Sequence, residues 1–238
     1  WYITHVIMNR EQALYNYVLR LGDDSLILGQ RLAELCGHGP ILEEDIALTN
    51  ISLDLIGQAT LFLEYAGSLG GENKSNDDLA FLRLEKEYVN VLLVEQPNGH
   101  FGDTIMRQFL FDAFQVLWLT ELEKSSDTRV MEIATKSLKE ATYHLERSSG
   151  TVIALGDGTE ESNARMQSGL DYLWPYVGEM FIDDQIDHAI SDAKIAPLPS
   201  TLRENWNVTV QRTMSHAYLS IPEGEFAHAG GRNGVRHT

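Results

Sequence analysis

The stretch that decides the fold is residues 42–69, LEEDIALTNISLDLIGQATLFLEYAGSL. Glu43, Glu44 and Asp45 open it, and acidic side chains are favoured at the positive end of a helix dipole. As one α-helix, its ~28 residues at ~1.5 Å each would extend about 40 Å. Apolar residues then cover most of the circumference; they are Leu42, Ile46, Ile51, Leu53, Leu55, Ile56, Leu61, Phe62 and Leu63. A helix that is apolar around most of its circumference is predicted to lie inside a helical bundle.

Segments on both sides of this stretch carry the helical period of three and four residues. Residues 11–36 predict a helix before it, which the Gly- and Pro-containing residues 37–40 bring to an end. Residues 103–124 and 130–155 predict two more long helices after it, with Asp127 as the N-cap of the second. The sequence therefore predicts an all-α protein in which four long helices form the core of a bundle.

Shorter helices complete the predicted bundle. One is expected over residues 79–92 and another over 160–181, where Pro175 should kink the helix or mark its last turns. A further helix is expected over 201–219, opened by the capping-box pattern Thr-Leu-Arg-Glu. Since nothing in the composition marks a domain boundary, residues 1–238 are predicted to form a single domain.

The net charge restricts the kinds of partner. The chain has 18 basic and 35 acidic residues and a formal charge of −17, which would repel nucleic acid phosphates and anionic membranes. No segment approaches the roughly 20 consecutive apolar residues that a membrane span requires. We therefore expect neither a nucleic acid nor a membrane as a partner, and we expect a cytoplasmic protein.

The ends of the chain and its single cysteine lead to three further expectations. The first residues lack the order of a signal peptide, and Met8 is a candidate native start, so residues 1–7 are left out of the fold. Residues 224–238 are rich in Gly, His and Arg and are predicted to be a flexible tail. Cys36 ends an apolar helical stretch and is predicted to be a small buried hydrophobic residue in a reducing compartment.

A bundle of four long helices raises the question of a carboxylate-bridged di-iron site, which is built from two Glu-x-x-His motifs and two further glutamates. Residues three apart share one face of a helix, so each motif presents a carboxylate and an imidazole together. Of the eight histidines, only His228 follows a glutamate at this spacing, and the pair it forms with Glu225 lies in the Gly-rich tail. The sequence also lacks a phosphate-binding Gly loop, a Gly-x-Ser-x-Gly motif and cysteine pairs. It therefore predicts no catalytic, cofactor-binding or metal-binding residue in this chain.

Polar residues nevertheless recur in the predicted core helices. Six of them share helix faces or lie among aromatic residues: Asn50, Asp54, Gln58, Asp112, Glu140 and His144. One interpretation is a metal or proton-transfer site. The interpretation that we favour is a buried hydrogen-bond network that fixes the helix register, because buried polar groups are retained mainly when they satisfy one another. Histidines without a liganding neighbour are expected to have surface or capping roles: His38, His100, His188 and His216.

Several short sequence motifs are specific enough to indicate a family. They are RLGD at 20–23, CGH at 36–38, DIALTNISLDLIGQ at 45–58, LVEQPNG at 93–99 and KEATYH at 139–144. Together they extend over most of the chain. In these motifs the chain resembles the C-subunit family of the bacterial phenylacetyl-CoA epoxidase, a component of phenylacetic acid degradation.

The resemblance implies a ferritin-like fold and a non-catalytic role, with the di-iron centre in the homologous A subunit of that complex. When the iron-bearing subunit is aligned with this chain by helix register, its Glu-x-x-His motifs fall near residues 55–58 and 140–143. Gln58 and Tyr143 occupy the histidine positions of the two motifs, so an iron ligand is replaced in each motif. Family members also continue past the Gly-Gly-Arg region at 230–232, so a further helix is expected beyond the end of this sequence.

Residues and resemblance together predict a non-catalytic structural subunit of the multicomponent phenylacetyl-CoA epoxidase. It is expected to bind and stabilise the di-iron A subunit, to contact further subunits of the complex and to hold no cofactor of its own. Two alternatives stay open. One is a ferritin-like di-metal oxidase that uses Asp54, Asp112, Glu140 and His144, and the other is a stand-alone homodimeric bundle that binds or stores a ligand.

Overall fold

The computed structural model describes residues 9–71, 74–224 and 228–238, and regular structure in these ranges is helical throughout. The α-helices of the described ranges are α1 (Arg10–Ala33), α2 (Leu42–Leu69), α3 (Asn76–Phe81), α4 (Phe101–Leu122), α5 (Thr128–Gly156), α6 (Glu160–Val177), α7 (Gln185–Asp192) and α8 (Arg203–His216). Short 3-10 turns cover Glu85–Glu87, Gly178–Phe181, Pro199–Leu202 and Gly231–Asn233. The predicted all-α class is confirmed. The leading residues 1–7 and the tail residue Glu225 lie outside the described ranges.

The long helices α1, α2, α4 and α5 build the bundle. Helix α1 packs along α2, helix α4 packs along α5, and α2 also contacts α5. Helices α6 and α8 lie against α4 and α5, whereas α7 lies against α1. Side chains from all of these long helices fill the interior, among them Val18, Leu28, Phe62, Phe109, Leu122 and Val152. This arrangement confirms the bundle of long core helices with additional helices, and the ferritin-like assignment stays a prediction from the resemblance.

Polar side chains fix where two of the long helices begin. Asp127 caps α5, because its Oδ1 accepts a hydrogen bond from the Val130 main-chain NH at 2.9 Å. His100 caps α4: its Nδ1 accepts from the Asp103 NH at 3.2 Å, and the Asp103 carboxylate accepts from the His100 NH at 3.0 Å. The capping role of His100 is thus confirmed, and the remaining histidines of that prediction are exposed: His38, His188 and His216.

Helix α2 differs from its predicted central position, because one of its sides is exposed. Its length and apolar composition would allow it to cross a membrane, but 50% of its most apolar window is buried in the protein, as in the core helix of a bundle. Phe62 and Leu63 are buried, whereas Ile46 and Leu53 are 53% and 61% exposed. Helix α2 therefore has a buried apolar side and an exposed apolar side.

The described residues 82–100 form no α-helix, which corrects the helix predicted over 79–92. Helix α3 ends early, and the chain then crosses the bundle in an irregular path. The carboxylates of Asp24 and Glu179 hold this path, since they accept hydrogen bonds from the main-chain NH groups of residues 91 and 92 at 2.7 Å each. Such side-chain bonds replace the main-chain bonds of a helix.

Three further local features differ from the sequence predictions. Helix α7 has no counterpart among the predicted helices. Helix α8 begins at Arg203, because the Thr201 hydroxyl donates to the Leu198 carbonyl at 2.6 Å instead of capping the helix. Cys36 is exposed, because α1 ends at Ala33 and a turn carries the cysteine away from the core.

Residues 228–238 pack against the bundle, so the flexible tail predicted for the C-terminal segment is wrong over this part. Arg232 donates to the Asp187 carboxylate at 2.8 Å. His237 Nδ1 lies 3.0 Å from Glu95 Oε2. Gly and His residues thus form an ordered segment here because buried carboxylates of the bundle bind it.

Candidate functional site

Asp112 lies at the centre of a buried polar cluster between α4 and α5. Its Oδ1 accepts a hydrogen bond from Gln108 Nε2 at 2.6 Å, and its Oδ2 accepts one from Ser148 Oγ at 2.7 Å. Gln108 and Asp112 share a face of α4 because they are four residues apart. Burial raises the pKa of Asp112 to about 6, although nearby His144 lowers it. The carboxyl group is therefore poised to change charge near neutral pH.

His144 connects α5 to α2. Its Nε2 lies 3.0 Å from Asp54 Oδ2. The side chain of His144 is 2% exposed and that of Asp54 is 36% exposed, so the pair reaches from the core to the surface. Glu140 precedes His144 by one turn, and burial, followed by the charge of Asp54, raises the pKa of Glu140.

The six predicted polar residues do not form one network in the described structure. Gln58 is buried, but its Nε2 donates to Ser25 Oγ on α1 at 2.9 Å. Asn50 is exposed on the outer side of α2. A step of four residues rotates about 40° past a full helical turn, so Asn50 and Gln58 point about 80° apart. The prediction is wrong for Asn50, and Gln58 belongs to the contact between α1 and α2.

The donor set around Asp112 does not suit a metal ion. Among the described residues, no group of three or more His, Cys, Asp or Glu side chains is arranged to hold one. Both carboxylate oxygens of Asp112 accept hydrogen bonds, from an amide and a hydroxyl, where a cation would need free oxygens. The Asp54 carboxylate and the His144 imidazole bind each other. The geometry lends no support to di-iron chemistry in this chain, and a metal-free chain stays a prediction.

The exposed side of α2 carries a regular stripe, which we name the α2 face: Leu42, Ile46, Asn50, Leu53 and Gly57. Its members are four, four, three and four residues apart, a spacing that keeps them within about 80° of one another on one side of the helix. All of them are exposed. A side chain added at Gly57 would meet no described atom within 4 Å. The α2 face is therefore an apolar seam with room for the close approach of another helix.

A groove of about 660 Å³ borders the α2 face between α2 and α5. The apolar side chains of Ile41, Phe101 and Tyr143 help to line it. An ion pair between Arg147 and Glu44, at 2.6 Å, joins the two helices beside it. The groove therefore offers partly apolar surface beside the first turn of α2, and exposed apolar patches mark interaction sites.

A family model described as "Phenylacetic acid catabolic protein" matches residues 4–238 of the chain. The chain belongs to the phenylacetic acid catabolic protein family. It is also similar to the C subunit of the 1,2-phenylacetyl-CoA epoxidase of Escherichia coli (strain K12), with 48% identity over 222 residues that cover 93% of this chain and 89% of that relative. The family resemblance that the sequence motifs indicated is therefore confirmed.

This phenylacetic acid catabolic protein contains a second buried cluster, which the sequence did not predict. Glu179 is its centre: its Oε2 accepts from the Leu92 NH at 2.7 Å, and its Oε1 accepts from the Gly230 and Arg232 NH groups at 2.8 and 3.2 Å. Hydrogen bonds to an ionised acceptor are stronger than neutral ones. One carboxylate thus ties the irregular segment 82–100 to the C-terminal segment.

Arg20 of α1 extends the Glu179 cluster, because its Nε donates to the Arg232 carbonyl at 3.0 Å, and Asp23 lies one turn further along α1. Arg20 forms an ion pair with Asp184, which is 164 residues away in sequence, and Asp23 forms one with Arg83. The RLGD motif of the family resemblance contains both α1 residues. The spacing of Arg20 and Asp23 in the sequence gives no indication of their partners. The RLGD motif was the sequence signal that could have marked these two residues as important.

Proposed function

We propose that this chain is a non-catalytic structural subunit of a phenylacetyl-CoA epoxidase, which binds and stabilises the di-iron A subunit. The similar protein from Escherichia coli is itself named as a subunit of that enzyme. The observation that carries the proposal is the α2 face, an exposed apolar seam on a core helix. Covering such a surface is favourable, because apolar area removed from water contributes about 25 cal/mol per Å².

The spacing of the α2 face fits an α-helix as the partner element. Leu42, Ile46 and Leu53 supply the apolar positions of the seam, and Gly57 allows the two backbones to approach. Asn50 is the one side chain of the α2 face that can form hydrogen bonds, and a polar group buried at an interface needs a hydrogen-bond partner. A helix of the A subunit therefore lies along α2 in this proposal and offers Asn50 a polar partner.

Charge favours a different protein over a second copy of this chain. A second copy would bring the same formal charge of −17 to the interface. Glu43 and Glu64 are exposed near the two ends of the α2 face. A partner with basic side chains at the rim would associate faster and more selectively than one with the same charge. We therefore favour a heteromeric complex, with a homodimer only where the other subunits are absent.

In this proposal the oxygen chemistry belongs to the partner. Asp112 and the Asp54–His144 pair bind their own neighbours, so this chain supplies no iron ligand and no cofactor. Its role is to keep the A subunit folded and correctly placed within the complex, together with the further subunits. The cytoplasm is the proposed location, since the single cysteine cannot form an internal disulfide.

An omission assay tests the proposal. Oxygen consumption with phenylacetyl-CoA is measured for the reconstituted complex and reductase, leaving out each subunit in turn, and the chain alone is analysed for iron and manganese. We expect no turnover and no stoichiometric metal in the chain alone, and reduced turnover when it is omitted. Two tightly bound ions per chain, or turnover by this chain alone, would favour the di-metal oxidase.

A further inference from the structure

His144 has one ring nitrogen with a partner and one without. Nε2 lies 3.0 Å from the Asp54 carboxylate, which can only accept when ionised, so Nε2 carries the proton of the neutral ring and Nδ1 is an acceptor. Nδ1 is buried and has no hydrogen-bond partner among the described residues. A buried polar atom in this condition is costly unless a water molecule satisfies it.

The facing side of α4 has unpartnered polar atoms as well. Oε1 of Gln108 and Oε1 of Gln115 are buried, and neither meets a partner in the described part of the chain. Gln108 binds Asp112 through its other terminal atom at 2.6 Å. Ser148, one turn after His144, binds the same carboxylate at 2.7 Å. Gln108 of α4 and Ser148 of α5 therefore bind the same Asp112 carboxylate, and Ser148 lies one turn from His144.

The unpartnered atoms of His144 and Gln108 are both acceptors, and a water molecule has two protons to donate. We propose that a bound water molecule links Nδ1 of His144 to the Gln108–Asp112 cluster, and that His144 passes protons between the buried Asp112 and the solvent-accessible Asp54. All of these groups belong to this chain, and the transfer needs no partner protein.

The transfer conserves protons and charge. The proton that leaves the Asp112 carboxyl passes to the water molecule, which gives one of its own protons to Nδ1 of His144. The ring is then briefly a cation, and its Nε2 proton passes to the Asp54 carboxylate and from there to solvent. The ring is left neutral with the proton on Nδ1. One proton has left Asp112, one has reached solvent, and nothing is oxidised or reduced. The reverse transfer restores the starting tautomer: Nε2 takes up a proton from Asp54, and Nδ1 returns one through the water molecule to Asp112.

Charged groups face the His144 ring from several helices. Carboxyl groups face it from three helices: Asp54 on α2, Asp112 on α4 and Glu140 on α5. The basic groups nearby, Lys136 and Arg147, have carboxylates of their own as neighbours. Burial raises the pKa of Asp112 to about 6, so this group exchanges its proton close to physiological pH. The bundle interior can thus change its charge without unfolding.

Nuclear magnetic resonance of the full chain, labelled with ¹³C and ¹⁵N, tests the inference. We expect a cross-relaxation signal between water and the Hε1 proton of His144 and, below the pKa of Asp112, nitrogen shifts that place the ring proton on Nε2. We expect the Asp112 carboxyl carbon to give one signal that moves with pH, because fast proton exchange averages the two states. A chain without the water signal, or with the ring proton on Nδ1 while Asp112 is protonated, would overturn the inference.

Two variants separate the relay from simple packing. His144→Phe keeps a ring but removes both nitrogens, whereas Asp54→Asn keeps an acceptor oxygen for Nε2 and cannot take up a proton. In each we expect loss of the averaged Asp112 signal and two slowly exchanging signals in its place. His188→Phe, at an exposed site on α7, is the matched control and should keep the single signal. A single moving signal in Asp54→Asn would refute the relay even where His144→Phe fails to fold.

Discussion

Asp54 accepts the hydrogen bond of the buried His144 and so joins α2 to α5. Asp54→Leu would leave Nε2 of His144 without an acceptor, and an unpaired buried polar group costs about 1–3 kcal/mol. We expect the free energy of unfolding, measured by urea denaturation, to fall by about that amount. Glu146→Leu, at an exposed site in the middle of α5, is the control and should change it by less than about 0.5 kcal/mol. Equal losses in the two variants would show that the bond does not hold the helices together.

Asp112 should make stability depend on pH. Burial raises its pKa from 3.8 to about 6 in the folded protein, so between these values the folded state keeps a proton that the unfolded state has lost. Its contribution to stability is therefore present below about pH 4 and disappears as the pH rises through 6. Two pKa units correspond to about 3 kcal/mol.

Asp112→Asn removes this titration, so the free energy of unfolding of the variant should rise relative to wild type by up to about 3 kcal/mol between pH 4 and pH 7. Urea denaturation of both proteins across this range measures the difference. A difference that is constant with pH would contradict the raised pKa.

Tyr218 holds a backbone conformation that favours glycine. It follows α8 with φ of 53°, and the next residue, Leu219, donates to the Met214 carbonyl at 3.0 Å, which closes a Schellman motif. The left-handed conformation costs a residue with a side chain about 1 kcal/mol. Tyr218→Gly should therefore raise the melting temperature by about 2–4 °C. Lys124→Gly, after α4, has no positive φ to relieve and should bring no gain.

The sequence predicts the ends of some helices well and fails for other segments. The ends of α2, α4 and α5 follow from apolar periodicity and caps such as Asp127, and they agree with the structure within a few residues. The irregular path of residues 82–100 does not follow, because it depends on carboxylates that arrive from α1 and from Glu179. Long-range side-chain bonds of this kind leave no periodic pattern in the sequence.

The candidate site is predictable only in part for the same reason. The four-residue spacing of Glu140 and His144 places them on one helix face, and the sequence correctly groups Asp54 with them. Asn50 is assigned to the core by sequence because α2 reads as apolar on most sides. Spacing alone does not say which apolar side meets the other core helices, so periodicity does not reveal the exposed α2 face.

The C-terminal segment is an element that one carboxylate should hold in place. Glu179→Gln keeps the size of the side chain but replaces one acceptor oxygen with an NH₂ group, so it cannot accept from both the Leu92 and the Gly230 NH groups. We expect amide hydrogen exchange to accelerate by about 10-fold or more at one of these positions, since a lost charged hydrogen bond costs about 1.5–3 kcal/mol. Glu132→Gln, exposed on α5, should leave both amides as protected as before. Full protection in Glu179→Gln would mean that the segment is held by other contacts.

The whole molecule combines a hydrophobic core that encloses small polar clusters with an exposed apolar face on α2. A groove lies beside the first turn of α2, between it and α5. Permanent interfaces commonly bury about 2,000 Å² or more and are rich in apolar residues. Association with a more basic partner would also offset the self-repulsion of a chain with a formal charge of −17. These properties support the proposed role as a subunit.

Size-exclusion chromatography of this chain mixed with the A subunit of the epoxidase measures whether the two proteins bind each other. At micromolar concentration we expect the wild-type chain to co-elute with the A subunit. The double variant Ile46→Glu and Leu53→Glu should elute separately with unchanged helix content, because both sites are exposed in the free chain and both charges would be buried in the complex. Val208→Glu, 60% exposed on α8 and outside the α2 face, should co-elute like the wild type. Separate elution of the wild-type chain, or co-elution of the double variant with undiminished affinity, would contradict the account.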